Sequence, residues 1–202
     1  LARRTVKSKQ HYYTRKKMKS IIISIQPKWC AKIESGAKTI EVRKTRPKIE
    51  TPFKCYIYCT FPQKPVYDIW INRGTENRFL GNGKVIGEFV CDRIDEYTSG
   101  IPPFCEASNG YNVYPPELEK MCLGYKDLDA YGKGKTLYGW HISDLKIYDK
   151  PKELGEFRKP CDADENCYLC EKSGFTPDML LDCFNFLTRP PQSWCYVEEK
   201  EE

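Results

Sequence analysis

No stretch of this 202-residue chain approaches 18 consecutive apolar residues, so the sequence contains no candidate transmembrane helix. No cleavage-type site follows the short apolar run "SIIISI", which reads as a first strand rather than as a signal peptide. Internal repeats and low-complexity tracts are also absent. Histidine is nearly so: the two present are His11 and His141. Acid is missing from residues 1–19, "LARRTVKSKQHYYTRKKMK".

What is present is rich in rings and proline. Aromatic residues make up 13% of the chain, with 14 Tyr and 14 Pro, a mixture that favours strands and ordered loops over long helices. The length suits one domain with insertions, long enough to bury a core. Hydrophobic content of 40% and charged content of 30% are ordinary for a globular protein.

The net charge of +5 is unevenly placed. Residues 1–19 hold eight of the 33 basic side chains, leaving 25 against 28 acids in the rest, a net of −3. A basic arm of this kind can hold nucleic acid through phosphates. The plainer reading is a disordered extension, with Met18 where a start codon is expected. The remainder, residues 20–198, reads as a single domain, with a cysteine-bearing insertion at about 161–191 and an acidic tail at 199–202. Eleven cysteines, an odd number without a secretion signal, point to a reducing compartment and a cytoplasmic protein. Several sit in strand-like runs ("FKCYIYCTF", "EFVCDRI"), where cysteine acts as a small apolar residue.

The expected order of elements is strand, helix, three strands, short helices, strand, insertion, strand. Residues 27–35 read as a short helix opened by Pro27 and closed by Gly36. "KTIEVRK" alternates with period two and reads as a strand. "VIGEFVCDRIDEY" and "TLYGWHISDLKIYD" each read as one strand, the former with a bulge at Gly87. Residues 62–83 read as a long excursion, and "SGIPPFCEASNGYNVYPP" as loop. About six strands with little helix argue for a small, barrel-like mixed sheet of the α+β, mainly β class, rather than a doubly wound fold.

On the strand at 38–43, Thr39, Glu41 and Arg43 share one face, with alternate residues about 7 Å apart. Ile40 and Val42 fill the other. Periodicity leaves two readings: a solvated face with a loose Glu41–Arg43 pair, or the floor of a binding cleft.

The longer run "IQPKWCAKIESGAKTIEVRKTRP" resembles the activating signal cointegrator homology (ASCH) domain. That family shows a short helix, a glycine, and Gly-x-Lys-x-x-Glu-x-Arg, here Gly36-Ala37-Lys38-Thr39-Ile40-Glu41-Val42-Arg43 without departure. The resemblance continues in "GKVIGEFVCDRI", "YGWHISDLKIYDKPKEL" and "RPPQSWCYVEE". It implies a PUA-like mixed β-barrel (similar to the pseudouridine-synthase and archaeosine-transglycosylase fold) of about six strands. It also implies a cleft lined by the helix and the Lys-Glu-Arg strand.

In such a cleft Glu41 can hold Arg43 in one pose. Lys38 offers a mobile positive charge to a phosphate or carbonyl oxygen. Glu41 can accept from a base amino group, or act as acid or base. Trp29 is either a stacking face or core, and Gln26 and Ser193 flank the cleft as hydrogen-bond donors. Trp140 and His141 point to opposite faces of their strand, and His141 is either a general base or a structural histidine.

The function expected is RNA or nucleotide binding by Gln26, Trp29, Lys38, Thr39, Glu41, Arg43 and Ser193. The alternative is a small hydrolase of RNA or a modified nucleoside, using Lys38, Glu41 or His141. Amidohydrolase relatives carry Lys-x-x-Thr, and here Glu41 replaces the threonine nucleophile. A third reading is a partner-binding protein of a mobile element. No membrane partner is expected.

No cofactor is expected beyond one metal. Cys161, Cys167, Cys170 and Cys183 include a C-x-x-C pair and can hold a structural zinc, four thiolates leaving no open position for water. If they do, elemental analysis finds about one zinc per chain and chelator destabilises the protein; a metal-free, chelator-indifferent protein would remove the site.

Overall fold

The computed structural model describes residues 20–61, 70–72, 78–100, 110–160 and 186–199. The arm at 1–19, most of the expected insertion with its four zinc-candidate cysteines, and residues 200–202 lie outside them. Among the described residues no helix is long and apolar enough to cross a membrane.

The chain begins with β1 (Ser20–Ile25), α1 (Pro27–Glu34), β2 (Ile40–Arg43) and β3 (Phe53–Cys59). A small hairpin follows, β4 (Trp70–Asn72) with β5 (Arg78–Leu80). Then come β6 (Lys84–Cys91), β7 (Ile94–Tyr97), β8 (Ser99–Gly100) and β9 (Gly110–Tyr111). Two short helices, α2 (Pro115–Met121) and α3 (Tyr125–Gly132), precede β10 (Leu137–His141) and β11 (Ser143–Lys152). A 3-10 turn (Leu154–Glu156), β12 (Phe157–Arg158) and β13 (Trp194–Glu199) complete it.

Six of these strands form one curled sheet in the order β11-β6-β3-β1-β13-β12. β1 runs parallel to β3 and antiparallel to β13. β2, β10 and β7 form a second, antiparallel sheet. The class is the expected one, mainly β with short helices. The isoleucine run of β1 shows why it lies centrally. Ile21, Ile23 and Ile25 pack with Cys55, Ile57 and Cys59 on one face, and Ile22 packs with Tyr56 and Tyr58 on the other. A strand buried on both faces carries apolar residues without alternation.

The two long runs read as single strands each divide in two. β6 gives way to β7 at Asp92–Arg93, and β10 to β11 at Ile142, and each half joins a different sheet. A curled sheet turns its corners this way, and no glycine or proline marks either corner. The bulge expected near Gly87 is present, where the β3–β6 register slips between Ile57 and Tyr58. The 62–83 excursion contains the β4–β5 hairpin, and the segment read as loop contributes the β8–β9 pair.

The three-stranded sheet has two different faces. Glu41 stands opposite Trp140, and Arg43 opposite Tyr138. Directly opposed residues share a face, so both charges project on the side where Trp140 enters the main core. The reverse side carries Ile40, Val42, Tyr97 and Leu137, packed with Met121 of α2 and Leu128 of α3.

All six cysteines among the described residues are free thiols, and Cys30, Cys55, Cys59 and Cys91 are buried. Burial, helped by the Asp92 carboxylate, pushes the Cys91 thiol from 9.0 up to about 12. Cys30 and Cys55 move in the same direction, chiefly through burial. A thiol the fold keeps protonated stabilises fully below its ordinary value of 9.0, and that contribution is lost as pH rises towards about 12. The melting temperature should therefore fall across that interval, and less steeply in Cys91→Ala; parallel declines would take this thiol out of the account.

Candidate functional site

The Gly36–Arg43 segment is bent into place from both ends. α1 closes on Ser35, and Gly36 takes a left-handed φ of 75°, which suits a residue without Cβ. The Gly36 amide donates to the Ile33 carbonyl and the Lys38 amide to the Lys32 carbonyl, each at 2.9 Å. The far side is zipped to the end of α2. Cys122 Sγ donates to the Ala37 carbonyl at 3.3 Å, and the Thr39 amide to the Lys120 carbonyl at 2.9 Å.

Lys38 Nζ donates to the Met121 carbonyl at 2.6 Å. That oxygen ends α2, where unpaired carbonyls attract a cation. Lys38 Nζ also lies 3.4 Å from Glu41 Oε2. On the other side, Arg43 Nη2 lies 3.0 Å from Glu41 Oε1 and donates to the Ser24 carbonyl at 2.7 Å. The carboxylate thus sits between an ammonium and a guanidinium. The three side chains are 2%, 8% and 10% exposed for Lys38, Glu41 and Arg43, which excludes the solvated-face reading. Burial lowers the Lys38 pKa, and the Glu41 carboxylate opposes the shift.

The triad forms the floor of a cleft of about 710 Å³. Gln26, Pro27, Lys28 and Trp29 of the α1 start form one wall, and Asp127 and Tyr131 of α3 another. These last two are four apart, hence on one helical face. Pro191 and Gln192 supply a further edge, held because Ser24 Oγ donates to the Pro191 carbonyl at 2.6 Å. Phe61 stands at the rim. Trp29 is half-buried: it packs on the main core and also lines the cleft. Lys28, Lys38 and Lys32 place Nζ atoms 4.4, 5.1 and 5.5 Å from the Trp29 ring centroid. Burial raises the Tyr131 phenol, and the Arg43 charge opposes it.

Of the expected residues, Gln26, Trp29, Lys38, Glu41 and Arg43 come together in this cleft. Thr39 and Ser193 do not line it. Thr39 acts through its backbone, and the Ser193 carbonyl accepts from the Ser24 amide at 2.9 Å. His141 stands elsewhere, opposite Ile40 on the reverse face, where Nε2 lies 2.7 Å from Asp95 Oδ2 and 3.0 Å from Arg93 Nη2. No expectation named Phe61, Asp127, Tyr131 or Gln192. The spacing of Asp127 and Tyr131 was visible, but nothing local joins α3 to β2. Among the described residues no three metal-ligating side chains cluster.

Two sheets meeting at bent strands, with charges on the inner face of the smaller one and short helices walling a cleft, form a fold like that of solved ASCH structures. The chain is similar to the crystal structure of ASCH from Zymomonas mobilis, with a TM-score of 0.51 and 18% identity over 89% of this chain and 87% of that one. A serine-to-alanine mutant of the same protein gives a TM-score of 0.50 at 18% identity over 90% of each chain. At this identity the likeness concerns the fold. No protein-family model and no curated protein matches the chain.

Removing the carboxylate leaves two buried cations without their shared partner. Glu41→Ala should lower stability by about 3–5 kcal/mol, read as a lower urea midpoint at unchanged slope. Lys38→Met, which leaves the Glu41–Arg43 pair in place, should cost less than Glu41→Ala. A negligible cost for Glu41→Ala would show that the fold does not depend on the triad.

Proposed function

We propose that the cleft binds a nucleotide, free or within an RNA chain. The observation that carries this reading is the buried cation–carboxylate–cation row beneath a half-buried tryptophan. The formal charges lining the cleft are three cations, Lys28, Lys38 and Arg43, against two carboxylates, Glu41 and Asp127. One surplus positive charge suits a single phosphate better than a long polyanion. The start of α1, with no acid in its first turn, favours the same group.

In this reading Lys38 and Lys28 hold the phosphate, Trp29 stacks the base, and Glu41 accepts from an exocyclic amino group. Arg43, 3.0 Å away, holds the carboxylate in one rotamer. A second reading, hydrolysis of RNA or a modified nucleoside, is supported by one observation: the lowered pKa of Lys38 brings its neutral, proton-accepting form closer to neutral pH. His141 takes no part in either, since it projects from the reverse face.

Calorimetric titration with nucleoside 5′-monophosphates should give saturable binding. Lys38→Met should weaken it by about tenfold or more, with circular dichroism confirming the fold. Deletion of residues 1–17 should leave the affinity unchanged. Labelled RNA recovered intact supports a binding module; fragments that vanish in Lys38→Met support the hydrolase. Wild-type protein that binds neither nucleotide nor RNA would end both readings.

A further inference from the structure

Two of the three large exposed hydrophobic side chains among the described residues border this one cleft. Phe61 is 68% exposed and Tyr131 is 37% exposed. Phe61 is not a loosely hung ring. It follows the end of β3, where the Thr60 amide donates to the Ile25 carbonyl at 2.9 Å and so ties the segment beside the start of α1.

One part of the ring rests on Gly83. That residue takes a left-handed φ of 78°, and a Cβ built there would fall 2.3 Å from Phe61 Cζ. The Gly83 amide donates to the Cys59 carbonyl at 2.7 Å, which holds this seat against the end of β3. A flat backbone thus supports the phenyl ring while most of its surface faces water. The arrangement costs apolar exposure and gives the core nothing, as no core cluster includes Phe61.

Phe61, Trp29 and Tyr131 come from three different segments around the cleft, and none of the three stacks on another; the cations closest over the Trp29 and Tyr131 rings are the flexible Lys28 and Lys44, at 4.4 and 4.7 Å, which a base can displace. Separate ring faces around a charged floor suit successive bases of a single strand. A protein partner would call instead for a continuous apolar patch, and here Lys28 and the buried triad interrupt the rings.

We propose that the cleft takes single-stranded RNA of at least two nucleotides, with the base next to the one on Trp29 stacked on Phe61 at the rim. This rests on the nucleotide reading of the cleft and adds the class and minimum length of the ligand. Phe61 is then a second platform that a mononucleotide does not reach.

The test compares the four nucleoside 5′-monophosphates with the matching homotetranucleotide RNAs, titrated into the full chain, Phe61→Ala, Phe61→Trp and Trp29→Ala. The wild type should bind its preferred tetranucleotide more tightly than the monophosphate. Phe61→Ala should weaken the tetranucleotide by about five- to a hundredfold while monophosphate affinity stays the same. Phe61→Trp should restore the difference, and Trp29→Ala should weaken both ligands. If Phe61→Ala leaves the tetranucleotide unaffected, its extra affinity is purely ionic and the second platform is overturned, with the nucleotide reading intact. An equal loss for both ligands in Phe61→Ala also overturns it. If the wild type binds no probe, the nucleotide reading falls and this inference falls with it.

Discussion

A carboxylate largely withdrawn from bulk water, with a cation on each side, is the constraint on which the other features of this protein depend. Glu41 sits 3.0 Å from Arg43 and 3.4 Å from Lys38. Ions in such a place are tolerated only when their partners are fixed. Each cation is therefore tied to backbone as well: Lys38 to the last carbonyl of α2, Arg43 to the Ser24 carbonyl of β1. One ionic row thus links a helix end, the second sheet and the central strand of the first.

That linkage explains the arrangement of the fold around it. The three-stranded sheet must bury Ile40, Val42 and Leu137 under the helices on one side and Trp140 in the main core on the other. A strand with two buried faces has no solvated side on which to place charge. Glu41 and Arg43 instead line the cleft, together with Ser24 of β1. α1 and α3 wall this cleft, bringing Trp29 and Tyr131 to it from segments about a hundred residues apart. His141 shows the same geometry by contrast. One residue further along β10 than Trp140, it emerges on the reverse face and pairs with Asp95.

Much of this was legible in residue order. Period-two alternation places Glu41 and Arg43 on one face of a strand. Pro27 and Gly36 frame a short helix, and the apolar run of β1 marks a strand without a wet side. Five of the seven expected ligand residues line the cleft because they belong to one continuous stretch, from Gln26 to Arg43, whose geometry is set by local turns and caps. Ser193 was expected from a distant edge, and there the neighbouring Pro191 and Gln192 line the cleft instead. Thr39 stays off the cleft lining for a different reason: β2 begins one residue later, so the alternation does not extend to it.

The sequence by itself determined the charged triad, the helix that precedes it and the predominance of strands, because these follow from short-range periodicity, turn residues and side-chain chemistry. Only the tertiary structure decided that the triad is buried, that Tyr131 and Asp127 face it, that two long strand-like runs bend into separate sheets, and that Phe61 sits on Gly83 at the rim. Each of these depends on contacts between segments distant in the chain. Local pattern carries no information about which distant surface will exclude water from a given side chain, and that exclusion turns three ordinary charges into a site.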